Sequence, residues 1–137
     1  MFKIRHIDHL VLRVKNLEAM MGFYRDVLGC SVERTQEEIG LYQLRAGSSL
    51  IDLVPVTGEL GRMGGAAPGL EARNLDHLCL AIAPFDAAEI TSYLASKGID
   101  AGEVKQRYGA EGDGPSFYIT DPEGNVVELK GLPNVQA

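Results

Sequence analysis

The hexapeptides Ile7-Asp8-His9-Leu10-Val11-Leu12 and Leu75-Asp76-His77-Leu78-Cys79-Leu80 are near copies of each other in the two halves of the chain. Each reads as a strand, whose period of two gives it two distinct faces. The segments after the two copies are also alike. Asn16 is placed to cap a helix from Leu17 to Leu28, with Met20, Met21, Tyr24 and Val27 along its apolar face. Gly29 stands where a left-handed residue ends such a helix. In the second half Asp86 and Glu89 form a capping box, and Phe85 and Ile90 occupy the staple positions. That helix runs through Leu94 and stops at Gly98.

Three further strands are predicted after each helix. In the first half they are Ser31 to Glu37, Leu41 to Ala46 and Ser49 to Val54, with a turn at Ala46-Gly47-Ser48. In the second they are Glu103 to Arg107, Ser116 to Thr120 and Asn125 to Lys130. Asp121-Pro122-Glu123-Gly124 joins the last two as a type I turn with a left-handed glycine. The chain therefore reads as α+β, with two βαβββ modules whose sheets pair and whose helices lie outside. We expect one domain over residues 5–131: module one 5–56, a flexible linker 57–73, module two 74–131, and a tail 132–137. A half of this size would bury its sheet poorly alone.

Composition sets the outer limits. The chain has 137 residues, 45% apolar and 23% charged, which excludes disorder. Its net charge of −6, without a basic block, argues against nucleic acid or an anionic membrane as partner. No apolar run is long enough to span a bilayer, and the first residues carry no signal-peptide core. Two cysteines, Cys30 and Cys79, make no disulfide framework. A reducing cytoplasm is the expected location.

Strand parity places the chemistry. Leu10 and Leu12 point toward the helices, and His9 points the other way. The same alternation sets His77 opposite Leu78, Asp52 opposite Ile51 and Leu53, and Glu128 opposite Val127 and Leu129. Two imidazoles and two carboxylates on the non-helical face, at matching places of a repeat, suit a borderline divalent cation: Zn, Ni, Co, Mn or Fe. Asp52, a methylene shorter than Glu, either reaches that metal or acts through water. By the same parity, Asp8 and Asp76 face away from the histidines they precede. Tyr118 and Ser116 share the metal-facing parity, and Arg107 is a candidate partner for a substrate carboxylate or phosphate, or else a surface salt-bridge residue.

Four segments together resemble one family. They are His9 to Val14, Phe23-Tyr24-Arg25-Asp26-Val27-Leu28-Gly29, Asp76-His77-Leu78, and Asp121-Pro122-Glu123-Gly124-Asn125-Val126-Val127-Glu128-Leu129. They resemble the vicinal oxygen chelate superfamily of glyoxalases, bleomycin-resistance proteins and extradiol dioxygenases. The resemblance implies a cup-shaped mixed sheet around a divalent metal, held by residues matching His9, His77 and Glu128. Glyoxalase I has a further Glu, and methylmalonyl-CoA epimerase a Gln, near the position of Asp52, so this chain departs from both there. Gly109-Ala110-Glu111-Gly112 with Ser116 and Tyr118 is most similar to the small glyoxalase-related and virulence-associated members.

The expected activity is that of a metal-dependent lyase or isomerase, similar to lactoylglutathione lyase. It would chelate vicinal oxygens of a small substrate and stabilise an enediolate, with Glu128 or Asp52 as base and Tyr118, Ser116 and Arg107 touching substrate. The alternatives are an extradiol-type Fe(II) dioxygenase and a drug- or metabolite-binding protein without catalysis. The resemblance also implies a homodimer.

Overall fold

The computed structural model describes residues 1–133. The tail expected at 132–137 lies outside the described residues from 134 onward. The chain divides into two compact units, residues 1–74 and 75–137.

In the first unit, β1 (His9–Val14) leads to α1 (Leu17–Met21), then β2 (Ser31–Gln36), β3 (Leu41–Ala46) and β4 (Ser49–Pro55). Strand order is β1-β4-β3-β2, with β1 parallel to β4 and the other pairs antiparallel. Asn16 caps α1 by accepting a hydrogen bond from the Ala19 amide at 3.0 Å. The helix is not α-helical as far as Leu28. From Gly22 to Val27 it widens into a π-helix, with the Leu28 amide donating to the Phe23 carbonyl five residues back. The wider turn brings consecutive side chains closer in angle, so Phe23 and Tyr24 are both buried and meet edge-on at 4.9 Å. Gly29 ends the helix with φ of +83°. Leu12, Leu44, Ile51 and Leu53 of the sheet join Met20 and Tyr24 in the core.

The segment expected as a flexible linker carries a 3-10 turn at Gly61–Gly64. Arg13 holds it: Nε donates to the Gly61 carbonyl at 2.8 Å, and the two terminal nitrogens to Gly65 and Ala66. Asn74 then bonds both backbone groups of Arg13.

The second unit repeats the plan. β5 (His77–Ala81) is followed by α2 (Ala87–Ser96), β6 (Lys105–Gly109), β7 (Gly112–Thr120) and β8 (Val126–Lys130), in the order β5-β8-β7-β6. Asp86 caps α2 through the Glu89 amide at 3.0 Å, as the capping box predicts. In the Asp121–Gly124 turn, Asp121 accepts from the Glu123 and Asn125 amides, and from the Asn125 side chain at 2.8 Å. Phe117, Ile119, Val127, Leu129 and Leu94 form this unit's core. The protein is thus α+β, with two βαβββ modules each carrying a four-stranded mixed sheet. No helix among the described residues is long and apolar enough to cross a membrane.

Candidate functional site

Strand register decides which polar groups meet. In the first unit His9 pairs with Leu50, and Val11 with Asp52. His9 and Asp52 therefore lie on one face, two residues apart along neighbouring strands. Across β3 the partner of Asp52 is Gln43. In the second unit His77 pairs with Val126 and Cys79 with Glu128, and the partner of Glu128 across β7 is Tyr118. The two constellations have the same register: an imidazole opening the first strand, a carboxylate at the centre of the last, and a polar side chain beside it.

Both carboxylates are buried, Asp52 at 2% exposure and Glu128 at 6%. Asp52 Oδ2 accepts from Gln43 Nε2 at 3.2 Å, while Oδ1 has no hydrogen-bond partner among the described residues. A buried charged oxygen left unbonded is costly, and a cation is the natural way to satisfy it. Glu128 Oε1 stands 3.4 Å from His77 Nε2. Two donors on one tetrahedral ion, each at about 2.1 Å, are about 3.4 Å apart. The residues present therefore fit a divalent cation. Among the described residues His9, Asp52, His77 and Glu128 come together as two pairs, and no group of three or more potential ligands forms.

One expectation is corrected. Asp8 and Asp76 do not face away from the histidines. Asp8 Oδ1 lies 2.7 Å from His9 Nδ1, and Asp76 Oδ2 lies 2.7 Å from His77 Nδ1. Strand alternation governs residues inside a ladder, but His9 and His77 each open their strand. The preceding aspartate is outside the ladder and folds back onto the ring. A carboxylate on Nδ1 fixes the tautomer and leaves Nε2 as the ligating atom. The hydrogen bond that His9 donates to Asp8 raises the pKa of His9, helped by the charge of Asp52, and lowers that of Asp8 in turn.

The three expected substrate residues lie on the β6–β7 hairpin. Tyr118 meets the His77 ring edge-on at 5.6 Å. Arg107 makes no ion pair among the described residues. Its guanidinium lies 4.5 Å from the Tyr118 ring centre, and Nη1 donates to the carbonyl and hydroxyl of Ser116. Ser116 is fully buried. Cys79 sits between His77 and Glu128 in strand parity, and burial, then the Glu128 charge, push its thiol up to about 11. Gln43 is the residue sequence reasoning passed over. Its parity opposite Leu44 was the available signal, but nothing local tied it to Asp52.

The comparisons agree with this architecture. A virulence protein of Salmonella typhimurium is 27% identical over 132 residues, covering 92% of this chain and 83% of its own. Its crystal structure gives a TM-score of 0.79 at 28% identity, covering 96% of this chain and 99% of that one. The mitochondrial methylmalonyl-CoA epimerase of Mus musculus is 25% identical over 134 residues, covering 94% of this chain and 74% of its own. A lactoylglutathione lyase from Agrobacterium tumefaciens shares the fold, with a TM-score of 0.68 at 21% identity over 94% of this chain and 95% of that one. Residues 6–129 match the Glyoxalase/Bleomycin resistance protein/Dioxygenase superfamily, and the chain belongs to it.

Proposed function

We propose that the protein is a divalent-metal-dependent lyase or isomerase of the glyoxalase type, with His9, Asp52, His77 and Glu128 as the ligand set. The observation that carries this is the imidazole and buried carboxylate occurring twice in one register, each ring oriented by the aspartate before it. The epimerase relative supports the isomerase side of the reading. When bound, a divalent ion supplies Lewis-acid stabilisation of the charge that develops on vicinal oxygens as a neighbouring C–H bond loses its proton.

The chain's own residues do the rest. Glu128 and Asp52 are the two bases at hand: one removes the carbon-bound proton, and the other is available to return it. Asp8 and Asp76 hold the imidazoles in the ligating tautomer. Tyr118 offers its hydroxyl to the substrate, and fully buried Ser116 acts through Arg107. Arg107 stiffens both, by stacking on one and bonding the other. A working dimer in a reducing cytoplasm completes the proposal. His6 bonds the Ile7 carbonyl ahead of β1, and nothing favours it as the additional histidine of a dioxygenase.

Metal analysis of the purified protein is the first test. We expect a stoichiometric divalent ion that is lost from His9→Ala/His77→Ala, and metal-dependent turnover of methylglyoxal with thiols. A metal-free protein whose affinity for added ions is unchanged in the double variant would end the proposal. Oxygen uptake with catechols under Fe(II) would redirect it to a dioxygenase, and ligand binding without turnover to a carrier. Sedimentation showing only monomer would remove the dimer.

A further inference from the structure

Lys130, the last residue of β8, is paired with Ser116 and shares the face of Glu128, about 7 Å further along the strand. The residue is only 5% exposed. Lysines are almost never buried to this extent unless paired. Yet among the described residues its ammonium makes no hydrogen bond or ion pair. The other two basic side chains on this face are occupied: Lys105 stands 3.7 Å from Glu103, and Arg107 is spent on Tyr118 and Ser116. Ser116 also has its hydroxyl turned to Arg107 rather than to Lys130.

The hairpin is shaped around this ammonium. A Cβ on Gly109 would meet Lys130 Cε at 3.1 Å and Nζ at 3.6 Å, and its three nearest neighbours would all be atoms of Lys130. A Cβ on Gly114 would come within 3.1 Å of the same Nζ, although packing against the Gly131 carbonyl already requires glycine there. Gly109 has no such backbone reason. Its missing side chain makes room for the Lys130 stem itself, which runs over it toward an ammonium that has no counter-ion among the described residues.

We propose that Lys130, its stem laid over Gly109, binds an acidic group of the substrate, a carboxylate or a phosphonate-type anion, remote from the reacting end at His77 and Glu128. This rests on the reading of that pair as the reacting end. The substrate is then a small molecule with vicinal oxygens at one end and an acid at the other. An anion supplies the partner that this largely buried lysine lacks among the described residues.

Calorimetry on the zinc-loaded protein tests this with three probes: 2-oxoglutarate, its C5 monomethyl ester, and 2-oxo-4-phosphonobutanoate. A charged tail should bind at least about tenfold tighter than the ester. The better of the two charged probes distinguishes carboxylate from phosphonate. Lys130→Met should abolish the preference while leaving the ester's affinity unchanged, and Lys130→Arg should keep it. Equal binding of ester and diacid to the unmodified protein overturns the proposal, without reliance on any variant folding. So does absence of binding by all three, or a preference that survives in Lys130→Met. A Lys130-dependent preference that persists while zinc leaves every affinity unchanged upholds the subsite and removes the metal reading instead.

Discussion

Replacing Asp52 by asparagine should stabilise the metal-free protein and abolish its response to metal. The carboxylate is 2% exposed, with one oxygen served by Gln43 and the other by nothing. A buried acceptor without a partner costs about 1–3 kcal/mol, and more when charged. The amide side chain keeps the shape and the Gln43 bond, and its NH2 inherits the unserved position, so the gain of about 1–2 kcal/mol comes from removing the buried charge. An unfolding entropy of about 2.1 cal/mol/K per residue makes 1 kcal/mol worth about 3.5 °C for a chain of 137 residues. Metal-free Asp52→Asn should therefore melt about 3–7 °C higher than the unmodified protein. Metal reverses the order. A ligand at 100 times its Kd adds about 2.7 kcal/mol, or about 9 °C, to a protein that binds it only when folded. The unmodified protein should show that rise and the variant only a small part of it. Calorimetric melts with and without zinc, nickel and manganese measure both numbers. A metal-free variant that melts lower, or a metal response equal in the two proteins, would refute the assignment of Asp52 as a carboxylate kept buried for a cation.

The same geometry sets three further outcomes. Asp76→Asn removes the carboxylate that orients His77, and should weaken metal affinity about 10–100-fold in competition with a chromophoric chelator. Unchanged affinity would mean the Nδ1 contact has no orienting role. Asp121→Ala takes an acceptor from three donors in a largely buried turn, and should cost about 2–4 kcal/mol in urea unfolding. A loss below about 0.5 kcal/mol would show that the turn holds without it. Cys79, though solvent-reachable, should resist alkylation in the metal-free protein. With its thiol pushed up to about 11 from 9.0, its thiolate fraction at pH 8 falls about 100-fold. The iodoacetamide rate should still be climbing at pH 10, and a plateau near pH 9 would contradict the burial and Glu128 effects.

The order of elements was readable because its signals are local. Asn16 and Asp86 announced the helix starts, Gly29 and Gly98 the ends, and period-two alternation gave each strand its apolar face. The π-helical turn at Gly22–Val27 was not readable, since its apolar spacing fits an α-helix equally well and burial of the Phe23–Tyr24 pair decides between them. The candidate site divides the same way. Parity put His9, Asp52, His77 and Glu128 on the non-helical faces from sequence. The aspartates on the two rings were misassigned because alternation says nothing about a residue just outside the ladder.

By itself, then, the sequence determined a duplicated βαβββ plan and the alternation of side chains inside each ladder, because both arise from backbone geometry within a few residues. Only the tertiary structure decided that Gln43 serves one oxygen of Asp52, that Arg107 is spent on Tyr118 and Ser116, and that Lys130 is largely buried without a partner among the described residues. Those facts depend on the register between neighbouring strands and on how side chains pack across it. A shift of one residue in that pairing would turn every one of these side chains to the opposite face.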